Sequence, residues 1–239
     1  MGAVQLRPGR VAPWRPPRVA IDPWTVLRLA RYRRREDAPA PVWDATRAMV
    51  TRAEELTVPD ARLRVVRVKA VEPARASLTE GPSFTGHAIA RHLAGARRAV
   101  AFILTLGPAL EAEVVALGER QESLEAYLLD LAGWAGLEAT VRALRRDLVA
   151  ALPGAAVSHR LGPGHRDWPL TEQRDLMSLF ESEGEAVPVR LSEHGVLIPF
   201  KSISGLFALR SGSDADSVTP SRGGASGRSA SARRGPARA

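Results

Sequence analysis

The segment Ala99-Val-Ala-Phe-Ile-Leu-Thr-Leu106 constrains this chain more than any other. It is a continuous apolar run of strand length with no charged member, and Gly107-Pro108 ends it. A strand without a polar face has to be covered on both sides, so it belongs at the centre of a sheet with a layer packed on each face. Helical and strand patterns surround this run without a regular βαβ rhythm. That mixture gives an α+β fold, a mixed or antiparallel sheet packed with several helices.

The longest helical pattern runs from about Ser123 to Leu152 and supplies one long central helix. Leu124, Leu128, Leu131, Ala135, Glu138, Val141, Arg145 and Leu148 fall near one stripe. Glu138 is the odd member of that row. Gly133 and Gly136, just before it, would allow another element to approach closely. Asp22-Pro23 is a helix start, a capping carboxylate followed by a first-turn proline, and that helix is expected to end in Arg33-Arg34-Arg35. Further helices are expected from Val42 to Leu56, from a cap at Thr85 to Leu93, after Pro108 as far as Gly118, and from Thr171 to Glu183. Strands are expected at Leu63–Val71, with a bulge at Val65-Val66, and at Ala155–Arg160 and Ile203–Leu209. A hairpin is expected around Ser192–Gly195.

The two ends read differently. Residues 1–20 hold prolines and arginines with no hydrophobic period and are expected to be a disordered basic arm. Residues 211–239 are Ser, Gly, Ala and Arg with nothing large and apolar after Val218, and are expected to be a disordered tail. The folded unit is then 21–210. Charge follows the same division. Of a net +8, residues 1–35 carry +8 and residues 211–239 carry +3, so the middle is mildly acidic at −3. Basicity confined to flanking arms argues against specific nucleic-acid recognition. The absence of cysteine removes disulfides and thiolate chemistry. No apolar run reaches membrane-spanning length and the first 20 residues lack a signal-peptide pattern, which points to the cytoplasm. The five histidines show no helical metal-ligand spacing.

The informative stretch is Ser158 to Leu170. An arginine at a strand end, Arg160, precedes the loop Leu161-Gly162-Pro163-Gly164-His165. A guanidinium forks onto a carboxylate through two parallel hydrogen bonds, and glycines let a backbone approach a flat ligand. A partly buried Glu138 needs a cationic partner. Arg160 and Glu138 facing each other across a cavity would clamp the amino-acid end of a zwitterion. The structural alternatives are a direct Glu138–Arg160 salt bridge or a solvent-facing Glu138.

Arg160-Leu-Gly-Pro-Gly-His165 resembles the Arg-x-x-Pro-Gly-Tyr segment of the reactivation domain of cobalamin-dependent methionine synthase. Asp167-Trp-Pro-Leu-Thr-Glu-Gln173, Arg190-Leu-Ser-Glu-His-Gly-Val-Leu-Ile-Pro199 and Lys201-Ser-Ile-Ser-Gly205 continue the resemblance in order, most like small stand-alone members. It covers roughly residues 21–210. It implies that the chain binds S-adenosylmethionine (AdoMet), with Arg160 on the carboxylate, Glu138 on the amino group and Pro163, Gly164 and His165 shaping the pocket. Asp22 is faintly similar to a ligand-binding aspartate of that family, and its capping role explains it equally well. Cobalamin would enter only through a partner, a cobalamin-binding methyltransferase protein, whose reductive methylation this chain would assist. The chain would be a component of such a methyltransferase rather than a complete enzyme, since 239 residues cannot house the other modules. The alternative is a non-catalytic scaffold that keeps the fold without cofactor binding. Two departures stand out: His165 replaces the expected phenol, and no aromatic follows Phe207, where the family carries a ligand-contacting aromatic pair.

Overall fold

A computed structural model describes Leu6, residues 9–181 and residues 186–211. The elements are β1 (Val11–Trp14), α1 (Pro23–Leu29), α2 (Ala40–Leu56), β2 (Asp60–Glu72), β3 (Arg75–Leu78), β4 (Ser83–Thr85), α3 (His87–Leu93) and β5 (Arg98–Thr105). Then come α4 (Ala109–Glu119), α5 (Ser123–Ala151), β6 (Ala155–Leu161), α6 (Gln173–Ser178), β7 (Arg190–Leu191), β8 (Leu197–Ile198) and β9 (Ser202–Ser211). The fold is α+β.

Seven strands form an antiparallel sheet in the order β4-β3-β2-β5-β9-β6, with β1 added on β2. The expectation for the apolar run is met: β5 lies between β2 and β9, paired over its whole length with each. Ala99, Ala101 and Ile103 enter a core on one face with Leu93, Trp168 and Phe180. Val100, Phe102 and Leu104 enter the core on the other face, with Leu137, Val141, Leu144 and Leu148 of α5. Two covered faces account for a strand with no polar side.

The long helix joins two cores. Its C-terminal half packs on the sheet, while Leu128, Leu129, Ala132 and Ala135 pack with α1, α2 and α4. Its glycines mark the closest approaches. A Cβ on Gly133 would lie 2.9 Å from Leu110 and from the Lys201 methylene, and one on Gly136 3.0 Å from Ile21.

Several expectations are corrected. The arm expected over residues 1–20 contains β1, whose Val11, Ala12 and Trp14 are buried and whose register runs antiparallel to Ala61–Arg64. A tryptophan hidden against α5, with its Nε1–H donating to Asp147 Oδ2 at 3.0 Å, stabilises a segment whose composition reads as loop. The first helix stops at Leu29, and Arg35–Asp37 form a separate 3₁₀ turn. The bulge in β2 falls at Val68–Ala70, facing β3, and not at Val65-Val66. The α6 helix ends at Ser178, short of Glu183; residues 182–185 lie outside the described residues. So does the expected disordered tail, apart from Ser211, which ends β9.

Candidate functional site

The loop after β6 is held in place from several sides. Arg145, one of the stripe residues on α5, donates to the carbonyls of Val157 (2.7 Å) and Ser158 (2.9 Å), where the β6–β9 register is irregular. These two bonds tie the strand that carries Arg160 to α5. Beyond the strand, β6 and β9 touch backbone to backbone: a Cβ on Gly162 would lie 2.5 Å from the Ser204 carbonyl oxygen, and one on Gly205 would overlap Leu161. Only glycine fits either position.

The next residues tie the loop to the far end of the sheet. Trp168 is buried edge-on against Phe84, centroids 5.1 Å apart. Asp167 accepts from the backbone N–H groups of His87 (2.7 Å) and Ala88 (2.9 Å), capping α3 from 80 residues away. The Ala88 N–H is the leading cause that holds the Asp167 carboxyl below its ordinary range. Glu172 accepts from Thr85 N, Thr85 Oγ1 and Trp168 Nε1. Gln173 donates to Ser204 Oγ at 2.6 Å.

Beside this loop lies a cavity of about 260 Å³, whose lining includes Trp134, Pro163, His165, Leu170, Gln173 and Phe200. Trp134 comes from α5, Pro163 and His165 from the loop, and Phe200 from the segment before β9. Pro163 and His165 line this cavity; Gly164 lies between them in the chain, its N–H donating to the Trp168 carbonyl at 2.9 Å. Asp22 is the N-cap of α1, accepting from Trp24 N (3.1 Å) and Thr25 Oγ1 (3.0 Å), and is not among the cavity's lining residues. It acts as a cap.

Arg160 and Glu138 do not face each other across a gap. The Arg160 guanidinium bonds directly to Glu138 Oε1, and neither residue lines the cavity. This was one of the alternatives the sequence left open. Opposite charges on adjoining elements within reach of each other pair directly. Along the chain the pair is close to lining residues: Glu138 is one turn past Trp134 on α5, and Arg160 is three residues before Pro163. The Glu138 side chain is 47% exposed and that of Arg160 16%, so the carboxylate remains accessible.

Lys201 belongs to a segment that carries the resemblance, but nothing in the sequence assigned it a role. Its side chain is 0% exposed, with Nζ 2.6 Å from Asp130 Oδ1 and 4.4 Å from the Trp134 ring centroid. Its backbone N–H donates to Glu111 Oε1 at 2.7 Å. A lysine near a strand start reads as solvated, and only the glycine opposite, Gly133, could have hinted at a side chain crossing the helix. Among the described residues no cluster of three or more His, Cys, Asp or Glu could hold a metal, and no helix is long and apolar enough to cross a membrane.

The fold of this chain is similar to that of a solved reactivation domain. The crystal structure of the MetH reactivation domain bound to AdoHcy matches with a TM-score of 0.63 over 86% of this chain and 80% of that chain, at 15% identity. At that identity the likeness establishes the fold alone. No protein-family model and no curated protein sequence matches the chain.

Proposed function

We propose that the chain is an AdoMet-binding reactivation subunit that docks on a cobalamin-binding methyltransferase of the methionine synthase type. The observation that supports this reading is a cavity lined by Pro163 and His165 on the loop that follows Arg160, itself paired with Glu138, in the fold shared with a domain bound to AdoHcy. The cavity is smaller than the roughly 300–1,000 Å³ of a usual small-molecule site. It takes the nucleoside end of such a ligand, and the amino-acid end then lies along the surface toward the pair. Arg160 would hold the ligand carboxylate and Glu138 its ammonium. A direct pair this exposed contributes only about 0–1 kcal/mol, so a zwitterion that replaces one ion pair by two opens it at little cost. The bound AdoMet supplies the electrophilic methyl group; the protein's own part is to bind, orient and exclude water. The corrinoid belongs to the partner.

The direct ion pair is the one observation that favours the second reading, a scaffold that keeps the fold without the ligand. Calorimetric titration of AdoHcy and AdoMet separates the two. The first reading gives saturable heat from the wild type and an affinity about tenfold or more weaker in Arg160→Ala. A folded wild type that gives no saturable heat leaves the scaffold.

A further inference from the structure

Lys201 has no role in holding the zwitterion, yet it is a charge with no exposed surface directly behind the cavity. Burying an ammonium is costly unless it is paired and bonded. Here it has Asp130, 2.6 Å away, and two aromatic faces, Trp134 at 4.4 Å and Phe200 at 5.2 Å. Fold stability alone does not call for a cation at this point, since an apolar chain of similar length would fill the space. Asp130, 42% exposed, would then be solvated.

The rings are the informative part. Trp134 and Phe200 meet edge to face, centroids 5.7 Å apart and planes at 80°, and both line the cavity, as do Ser202 and Ile203 on the far side of Lys201 in the chain. Phe200 is 52% exposed, so packing alone does little to fix its ring. A cation is attracted to a ring face and not to its edge, so it sets orientation as well as place. A fixed edge-to-face corner offers a flat ligand one face and one edge, the two contacts that aromatic systems favour.

We propose that Lys201 is a positioning residue that holds the Trp134–Phe200 corner to receive the purine ring of the nucleoside ligand. The inference rests on the functional reading above, to which it adds the element that recognises the ring. The corner supplies aromatic contacts that the sequence lacks after Phe207.

The test uses the full chain as wild type and as Lys201→Met, which keeps length and apolar volume. AdoHcy and adenosine are titrated against both, with Arg160→Ala alongside. Lys201→Met should weaken AdoHcy and adenosine by the same factor, about tenfold. Arg160→Ala should weaken AdoHcy and leave adenosine unchanged, because adenosine has no carboxylate. In the free protein, the near-UV circular dichroism difference between the wild type and Trp134→Phe should collapse in the Lys201→Met background. Wild-type affinity for AdoHcy in Lys201→Met overturns the inference and leaves the functional reading standing. If the wild type binds neither ligand, the functional reading fails, and an unchanged Trp134 signal in Lys201→Met then overturns the positioning role as well.

Discussion

Stability should fall with pH through one histidine. His92 lies in the last turn of α3 with its ring packed toward β6 and β9, Nε2 lying 3.1 Å from the Leu206 carbonyl and 3.4 Å from Ser158 Oγ. A carbonyl can only accept, so Nε2 carries the proton of the neutral ring. Burial, the largest cause, pushes the pKa from 6.5 down to about 4; the Leu206 carbonyl opposes this and the Arg210 charge adds to it. The folded state therefore resists protonation while the unfolded chain accepts it below its ordinary pKa. The stability held at neutral pH is fully present above 6.5 and is lost as pH falls toward 4. The total is about 3 kcal/mol, with a slope approaching 1.4 kcal/mol per pH unit. His92→Gln keeps a donor near Leu206 and cannot titrate. Urea unfolding of both proteins at about pH 7 and about pH 5 should show the wild type losing about 2 kcal/mol more than the variant. Parallel losses in the two proteins would refute the assignment, because carboxylate titration is common to both.

Three further substitutions probe the frame around the site. Trp14→Ala should cost about 3–5 kcal/mol in chemical unfolding, since β1 is part of the sheet; a change below about 1 kcal/mol would return residues 11–14 to a loose arm. Gly205→Ala should cost about 2–4 kcal/mol, because the new Cβ meets the Leu161 backbone and neither strand can give way. Its thermal midpoint checks this, and an unchanged midpoint would refute the close approach. Glu172→Ala strands the Trp168 indole N–H and the Thr85 donors, at a cost of about 1–3 kcal/mol. Hydrogen exchange at Thr85 should accelerate, and unchanged exchange would show that Glu172 does not hold it.

Where local pattern decided structure, the sequence was legible. The apolar run of β5 could only be central, and the stripe and glycines of α5 foretold its length and that something approaches it closely, though not what. What escaped were features set by distant partners. Trp14 is a strand residue because Asp147 and the sheet core meet it, and no hydrophobic period marks that in a proline-rich segment. The N-terminal donors of α3 find their acceptor in Asp167, far along the chain, so the cap expected at Thr85 came one residue early. The site divided in the same way. The loop glycines and Arg160 announce themselves by spacing, and Pro163 and His165 do line a cavity. The burial of Lys201 was not legible, because it follows from an aromatic corner assembled from α5 and the segment before β9.

The most direct examination of the ligand clamp is a crystal structure of the chain with AdoHcy. The predicted result has the ligand carboxylate on the Arg160 guanidinium, its ammonium on Glu138, the direct pair opened, and the purine against Trp134 and Phe200. AdoHcy bound elsewhere, or an Arg160–Glu138 bond left intact beside a bound ligand, would contradict it.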